Sequence, residues 1–182
     1  MHRYAGIFIT YKCNADAAAC VAMSCEESEI KRGFLDTYTY VDASYHQYVT
    51  YPKCGMSKVP LKKVEPNEKR LEWIPFSMDF ISQKWSDSIM EVIKRNNLTI
   101  DDIDYFIFSQ PSDVYNTDTL KILGVPIEKK YHFVGKEYGY TGNTCPILCL
   151  NRMWNVYSQK GNKIILCTVG AGYSIIVHLY EF

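Results

Sequence analysis

Three short turns in this chain carry groups able to do chemistry. The apolar run Tyr105-Phe106-Ile107-Phe108 stops abruptly on Ser109-Gln110-Pro111-Ser112. A buried strand that ends on polar residues just before a helix is where α/β folds place ligands. Further along, Thr141-Gly142-Asn143-Thr144 opens another helix, and Val169-Gly170-Ala171-Gly172-Tyr173 joins two strands near the C-terminus. In that order the turns point to one site made of neutral hydrogen-bonding groups: a hydroxyl, a carboxamide and backbone amides. Ser109 stays uncharged at pH 7, so it gives or takes a hydrogen bond but supplies no imidazole-like base. Each residue also has a plain structural reading. Ser109 suits a turn ahead of Pro111, Asn143 suits a cap for the helix containing Pro146, and Gly170 and Gly172 suit a tight hairpin.

Other reactive side chains lack the spacing of a second site. Seven cysteines (Cys13, Cys20, Cys25, Cys54, Cys145, Cys149 and Cys167) form an odd set with no CxxC pair and no nearby histidine. No metal site is expected from them, and a reducing cytoplasm fits free thiols. Cys145 stands at a helix start, where a thiolate is favoured. Cys145 and Cys149 also lie one helical turn apart, as two small packing residues do. His2, His46, His132 and His178 have no carboxylate or cysteine partner at a recognisable spacing, and His132 is the nearest of them to Asn143 in sequence. Twenty basic residues balance twenty acidic ones, which removes the long-range attraction that nucleic acid or an anionic membrane surface would use. No cleavable leader is expected ahead of Tyr4, and no apolar run approaches the ~20 residues of a membrane span.

The elements that must position the turns are read from periodicity. A length of 182 residues with 47% apolar content suits one compact domain burying roughly 70% of its extended surface. Residues 5–10 and 17–23 are apolar enough for strands, while 37–51 alternate Tyr, Thr and Val with period two. The tyrosines of that last stretch form either a half-buried β-surface or the lining of an acyl or aromatic channel. Charged, proline-bearing residues 62–69 read as a loop. Ile81, Trp85, Ile89, Val92 and Ile93 then recur at helical spacing, with a stop at Asn96-Asn97. A strand at 105–108, helices over about 115–123 and 145–158, and strands at 163–168 and 174–180 follow. The final two strands are expected to pair antiparallel at the end of a mixed sheet, and the alternation as a whole gives a layered α/β arrangement.

A family resemblance runs through these segments. Asn14-Ala15-Asp16-Ala17-Ala18-Ala19 is similar to the GDGA(A/G)A strand of ketoacyl synthase III-type condensing enzymes of the thiolase superfamily, with both glycines replaced. Asn96-Asn97-Leu98 and Ile100-Asp101-Asp102-Ile103-Asp104 match that family's approach to its active-site histidine strand. Its His-Gln-Ala-Asn turn has a counterpart in Ser109-Gln110-Pro111-Ser112, its Gly-Asn-Thr in Gly142-Asn143-Thr144, and its C-terminal glycine loop in Gly170-Ala171-Gly172. The likeness covers nearly the whole chain and begins in the middle of the family's sequence.

The resemblance implies an α/β fold, a thiolase-like half with a mixed five-stranded sheet layered with helices. Residues 1–70 would be the end of the N-terminal half plus a β-rich connection, and residues 71–182 the C-terminal half. It implies the C-terminal portion of a 3-oxoacyl-(acyl carrier protein) synthase III-like acyltransferase, which performs Claisen condensation of acyl thioesters in fatty acid or polyketide synthesis. The family's cysteine nucleophile would lie upstream of the segment matched by Asn14 to Ala19. Asn143, Ser109 at the family's histidine position, and the backbone amide of Ala171 as an oxyanion donor are the implied catalytic groups. Gln110, Ser112, Gly170 and Gly172 are the implied substrate contacts. No tightly bound cofactor is implied; a coenzyme A or carrier-protein phosphopantetheine thioester is the implied substrate. The implied partners are a complementary thiolase-like half or a second copy, with acyl carrier protein as substrate donor. Serine in place of histidine favours an alternative, a noncatalytic thiolase-fold subunit supporting an active condensing enzyme.

Overall fold

The computed structural model of the chain describes residues 17–23, 27, 32–50, 72–74, 76–127 and 132–182. The strand expected at 5–10, residues Asn14 to Asp16, the loop at 62–69, and Cys13, Cys25, Cys54 and His2 lie outside them. In chain order the elements are β1 (Gly33–Val41), β2 (Val49–Thr50), β3 (Glu72–Trp73), α1 (Met78–Arg95), β4 (Tyr105–Phe108), α2 (Asp113–Ile122), α3 (Gly135–Tyr138), α4 (Cys145–Arg152), α5 (Trp154–Tyr157), β5 (Lys163–Gly170) and β6 (Ser174–Glu181).

Four of these strands form one sheet in the order β1-β6-β5-β4. β4 runs parallel to β5, whereas β5–β6 and β1–β6 are antiparallel, so the sheet is mixed as expected. β1 comes from the N-terminal side of the boundary expected at residue 70, yet it pairs with β6 from Gly33 opposite Glu181 to Val41 opposite Ser174.

Period-two alternation sends the strand side chains to two different layers. Phe106, Phe108, Ile165, Cys167, Ile175, Val177 and Leu179 join Trp85, Ile89, Val92 and Ile93 of α1 in the larger core. Ile107 and Ile164 point the other way and pack with Val134, Cys149 and Tyr157. Helix α1 is the anchor of the first layer. Ser77 caps its start by accepting from the Phe80 N–H at 3.2 Å. Asp79 in the first turn and Lys94 and Arg95 in the last complement its dipole. Asn97, at φ 55°, ends it in the left-handed region that asparagine tolerates. Trp85 is wholly buried and stacks on Phe108, ring centroids 5.7 Å apart.

The second layer covers the β4 side of the sheet more completely than the β1 side. Phe34, Val41 and Trp154 remain half-exposed or more. Edge-to-face contacts run from Phe34 to His178 and Tyr180, from Tyr180 to Phe182, and from Phe182 to Trp154, giving an aromatic band across this face.

Three expected elements differ. Residues 17–23 are irregular and exposed, because an apolar run becomes a strand only where a neighbour takes its backbone hydrogen bonds. The alternation over 37–51 breaks at Asp42, whose carboxylate accepts from the Ser44 N–H at 3.0 Å and the Ser44 hydroxyl at 2.6 Å. That local capping diverts the chain into a 3-10 turn at Ala43–Tyr45. The helix expected over 145–158 is two pieces, α4 and α5, with Met153 between them at φ −107°, ψ 17°.

Candidate functional site

The site forms where β4 and β5 end side by side. Ser109 extends the parallel ladder one step past β4, its N–H donating to the Cys167 carbonyl at 2.9 Å. Pro111 has no N–H and cannot extend it further. Ser109 is fully buried. Its hydroxyl donates to Asn143 Oδ1 at 3.2 Å and accepts from the Val169 N–H at 3.4 Å. One side chain therefore links the ends of β4 and β5 to the Gly142–Thr144 turn.

Asn143 reaches this position through a shaped turn. Gly142 has φ +64°, a conformation that costs glycine little and other residues more. Both the N–H and hydroxyl of Thr141 lie against Cys145 Sγ, at 3.3 and 3.2 Å, and close the turn onto α4. The flanking residue of α4 is Thr144 and carries no side-chain cap bond, while Pro146 fills the first turn. The carboxamide of Asn143 is thus directed to Ser109 and not to capping. Asn143 itself is exposed, so the pair spans from the core to the surface.

Two residues expected to touch substrate are engaged with the fold. Gln110 is buried, its Nε2 donating to the His132 carbonyl at 2.8 Å and its Oε1 accepting from the Val134 N–H at 2.9 Å. It staples the start of the 132–134 segment to the end of β4. Ser112 accepts from the Val114 N–H at 3.3 Å and caps α2, which explains why that helix starts two residues before the expected Tyr115. The glycine turn lies next to Val169 at the tip of the β5–β6 pair. Gly172 has φ +120°, a backbone state that side chains rarely adopt, and Ala171 is exposed at the crest. A Cβ at Gly170 would meet Ser174 Oγ at 2.5 Å. Gly172 therefore has a backbone reason to be there, and Gly170 a close side-chain neighbour in Ser174.

The remaining candidates stay apart from this arrangement. Cys145 and Cys149 are buried. Burial pushes the Cys149 thiol up to about 12, and it pushes Cys167 higher still. Cys149 contacts the Tyr157 hydroxyl at 3.9 Å as a packing group does. His132 offers its carbonyl to Gln110, and its Nε2 is buried without a hydrogen-bond partner among the described residues. His178 lies on β6 against the Thr37 hydroxyl at 2.8 Å, and His46 binds the Ala43 carbonyl at 3.0 Å. Among the described residues no three His, Cys, Asp or Glu gather as a metal site requires, and no helix is long and apolar enough to cross a membrane. The Asn143 carboxamide and the Ala171 backbone amide can donate to a carbonyl or oxyanion oxygen, and neither titrates near pH 7, whereas the Ser109 hydroxyl proton is already taken by Asn143 Oδ1.

The sequence did not disclose the backbone half of this network. The Val169 N–H and the 132–134 carbonyl and amide leave no mark in residue types, because every residue but proline has such groups.

Comparison with known proteins finds similar chains and folds. Residues 93–182 match the model of the family described as 3-oxoacyl-[acyl-carrier-protein (ACP)] synthase III C terminal. The β-ketoacyl-[acyl-carrier-protein] synthase III of Koribacter versatilis is 25% identical over 163 residues, covering 87% of this chain and 48% of the relative. The enzyme of the same name from Limosilactobacillus reuteri is 33% identical over 96 residues, covering 52% of this chain and 29% of the relative. A 2.1 Å crystal structure of 3-oxoacyl-(acyl-carrier-protein) synthase III superposes with a TM-score of 0.74 at 19% identity, over 87% of this chain and 50% of that one. The Thermus thermophilus β-ketoacyl synthase III gives 0.70 at 20% identity, over 83% and 46%. The chain spans about half the length of the full-length relatives that it matches along most of its own.

Proposed function

Because residues 93–182 carry the C-terminal domain of the 3-oxoacyl-[acyl-carrier-protein] synthase III family on a thiolase-like fold, we propose that this chain is the part of a condensing acyltransferase that receives the thioester carbonyl. The observation that supports this reading most is the junction of Ser109, Asn143 and Val169, where turns separated by 34 and 60 residues meet at the strand ends. In this reading Asn143 Nδ2 and the Ala171 N–H are donors to oxygens that gain negative charge as an acyl thioester reacts. Donors fixed in place before the charge develops require little reorganisation, and loss of one typically lowers the rate about 10²- to 10³-fold. The nucleophilic cysteine comes from another polypeptide or from upstream of the segment matched by Asn14 to Ala19, since Cys149 and Cys167 lie in the two cores and Cys145 is buried against Thr141.

The substrate is a thioester of coenzyme A or of carrier-protein phosphopantetheine, and no cofactor is held tightly. The half-covered aromatic face receives a complementary thiolase-like half or a second copy, as an apolar surface of this kind favours. The free thiols suit a reducing cytoplasm. One observation favours a second reading: Ser109 supplies no imidazole, and its hydroxyl is already engaged, which fits a thiolase-fold interaction subunit supporting an active enzyme.

Condensation of acetyl coenzyme A with a malonyl carrier protein, measured in the assembly that supplies the cysteine, separates the two. The first reading expects turnover that falls about 10²- to 10³-fold in Asn143→Ala. Turnover unaffected by Asn143→Ala, in an assembly that still depends on the chain, would establish the interaction subunit.

A further inference from the structure

Ser109 Oγ has two neighbours and one proton. The Val169 N–H, at 3.4 Å, can only donate, so it occupies a lone pair of the hydroxyl. The hydroxyl proton is then left for Asn143 Oδ1 at 3.2 Å. With the carboxamide turned the other way, the hydroxyl would accept twice and its own proton would lose this acceptor in a fully buried place. An unsatisfied buried donor shifts such an equilibrium about tenfold or more, which selects the first orientation. The oxygen of Asn143 therefore faces the core and its NH2 group faces away. Among the described residues Nδ2 donates to nothing, and Asn143 is exposed where Ser109 is not.

We infer that Ser109 is a positioning residue: it holds the Asn143 carboxamide with Nδ2 turned outward as a side-chain donor of the site, aimed at the carbonyl oxygen of a thioester. The ligand class rests on the proposed function; the orientation of the amide does not. A hydroxyl whose proton is committed to Asn143 does not also serve the ligand oxygen. The site therefore recognises a carbonyl with one oriented side-chain amide, and the hydroxyl acts through it.

The test uses the 182-residue chain labelled with ¹⁵N at its asparagine side chains, with Asn143→Asp identifying the Asn143 signals by their loss. The wild-type chain is expected to show a separated pair of Nδ2 proton signals. In Ser109→Ala this pair moves toward the position of a free asparagine amide while the backbone signals of 105–108 and 163–170 stay in place. Ser109→Thr, which keeps the hydroxyl, restores the wild-type pair. An Asn143 pair that Ser109→Ala leaves unmoved overturns the inference, as does a pair that moves equally in the alanine and threonine variants. Acetyl coenzyme A is then titrated as the probe. It should shift the Nδ2 pair and bind about five- to tenfold more weakly to Ser109→Ala. Equal affinity for both proteins overturns the role in recognition. A pair that responds to Ser109→Ala but to the probe in neither protein supports the positioning and removes the thioester reading.

Discussion

At the scale of single residues, ionisation behaviour divides the chain into groups that react and groups that pack. Cys149 is raised to about 12 by burial and Cys167 is raised further, so neither forms thiolate at neutral pH. Cys145 is buried behind Thr141. Incubation with acetyl coenzyme A, followed by intact-mass analysis and peptide mapping, is expected to place no acyl group on these three residues. A stoichiometric adduct on Cys145 would make it a nucleophile and not a packing group. His178 gives a second expectation. Burial lowers its pKa below the ordinary 6.5, so the folded chain binds that proton less readily than the unfolded chain. Its neutral form is compatible with the fold above about pH 6.5, and stability is lost as the pH falls below that value. The carboxylates of Asp42 and Asp102, lowered mainly by hydrogen bonds from Ser44 and Thr99, act in a separate window below their ordinary 3.8. Urea midpoints between pH 7.5 and 5 should therefore decline, and less steeply in His178→Gln. Equal slopes would remove His178 from the acid response.

At the scale of elements, legibility in the sequence followed how much of an element's stability is written in its own side chains. Helix α1 was readable because Ile81, Trp85, Ile89, Val92 and Ile93 form one continuous buried stripe. The β5–β6 pair was readable from apolar strands flanking a glycine turn. Residues 17–23 misled because a strand also needs a partner, which no run of residue types specifies. The break at Asp42 was missed because its cause is one carboxylate that captures Ser44, inside a stretch whose tyrosines keep period two on both sides. At the site, Ser109 and Asn143 were legible as positions, while the contact between them and its backbone third member were not. Full burial of Ser109 also went unseen, and it means that a histidine placed there meets an overpacked site costing about 1–3 kcal/mol. The element most open to a packing test is α1. Trp85 is wholly buried against Phe108 on β4, so Trp85→Ala is expected to cost about 3–5 kcal/mol in chemical denaturation. A loss under about 1 kcal/mol would mean that α1 does not anchor the sheet.

At the scale of the whole molecule, the two faces of the sheet are unequally covered. α1 and α2 close one face, whereas α4 and α5 leave the β1 side of the other to an aromatic band in which Phe34 and Trp154 are each 50% exposed. Such a surface predicts association, either with a second copy or with a complementary half. Light scattering over a wide concentration range should show a mass above the 21.1 kDa of one chain, and Phe34→Ser with Trp154→Ser should return it toward the monomer. A monomer at every concentration that also leaves a complementary half unbound would contradict this account of the face.

If Asn143 presents a donor to a thioester carbonyl, the vibration of that carbonyl reports the contact. In isotope-edited infrared difference spectra of acetyl coenzyme A labelled with ¹³C at its carbonyl, hydrogen bonding to the oxygen weakens the C=O bond and lowers its stretching frequency. The thioester bound to the wild-type assembly is expected to show a lowered frequency, which returns toward the value in an apolar solvent when Asn143 is replaced by alanine. A bound thioester whose carbonyl frequency is the same in wild type and Asn143→Ala would contradict it.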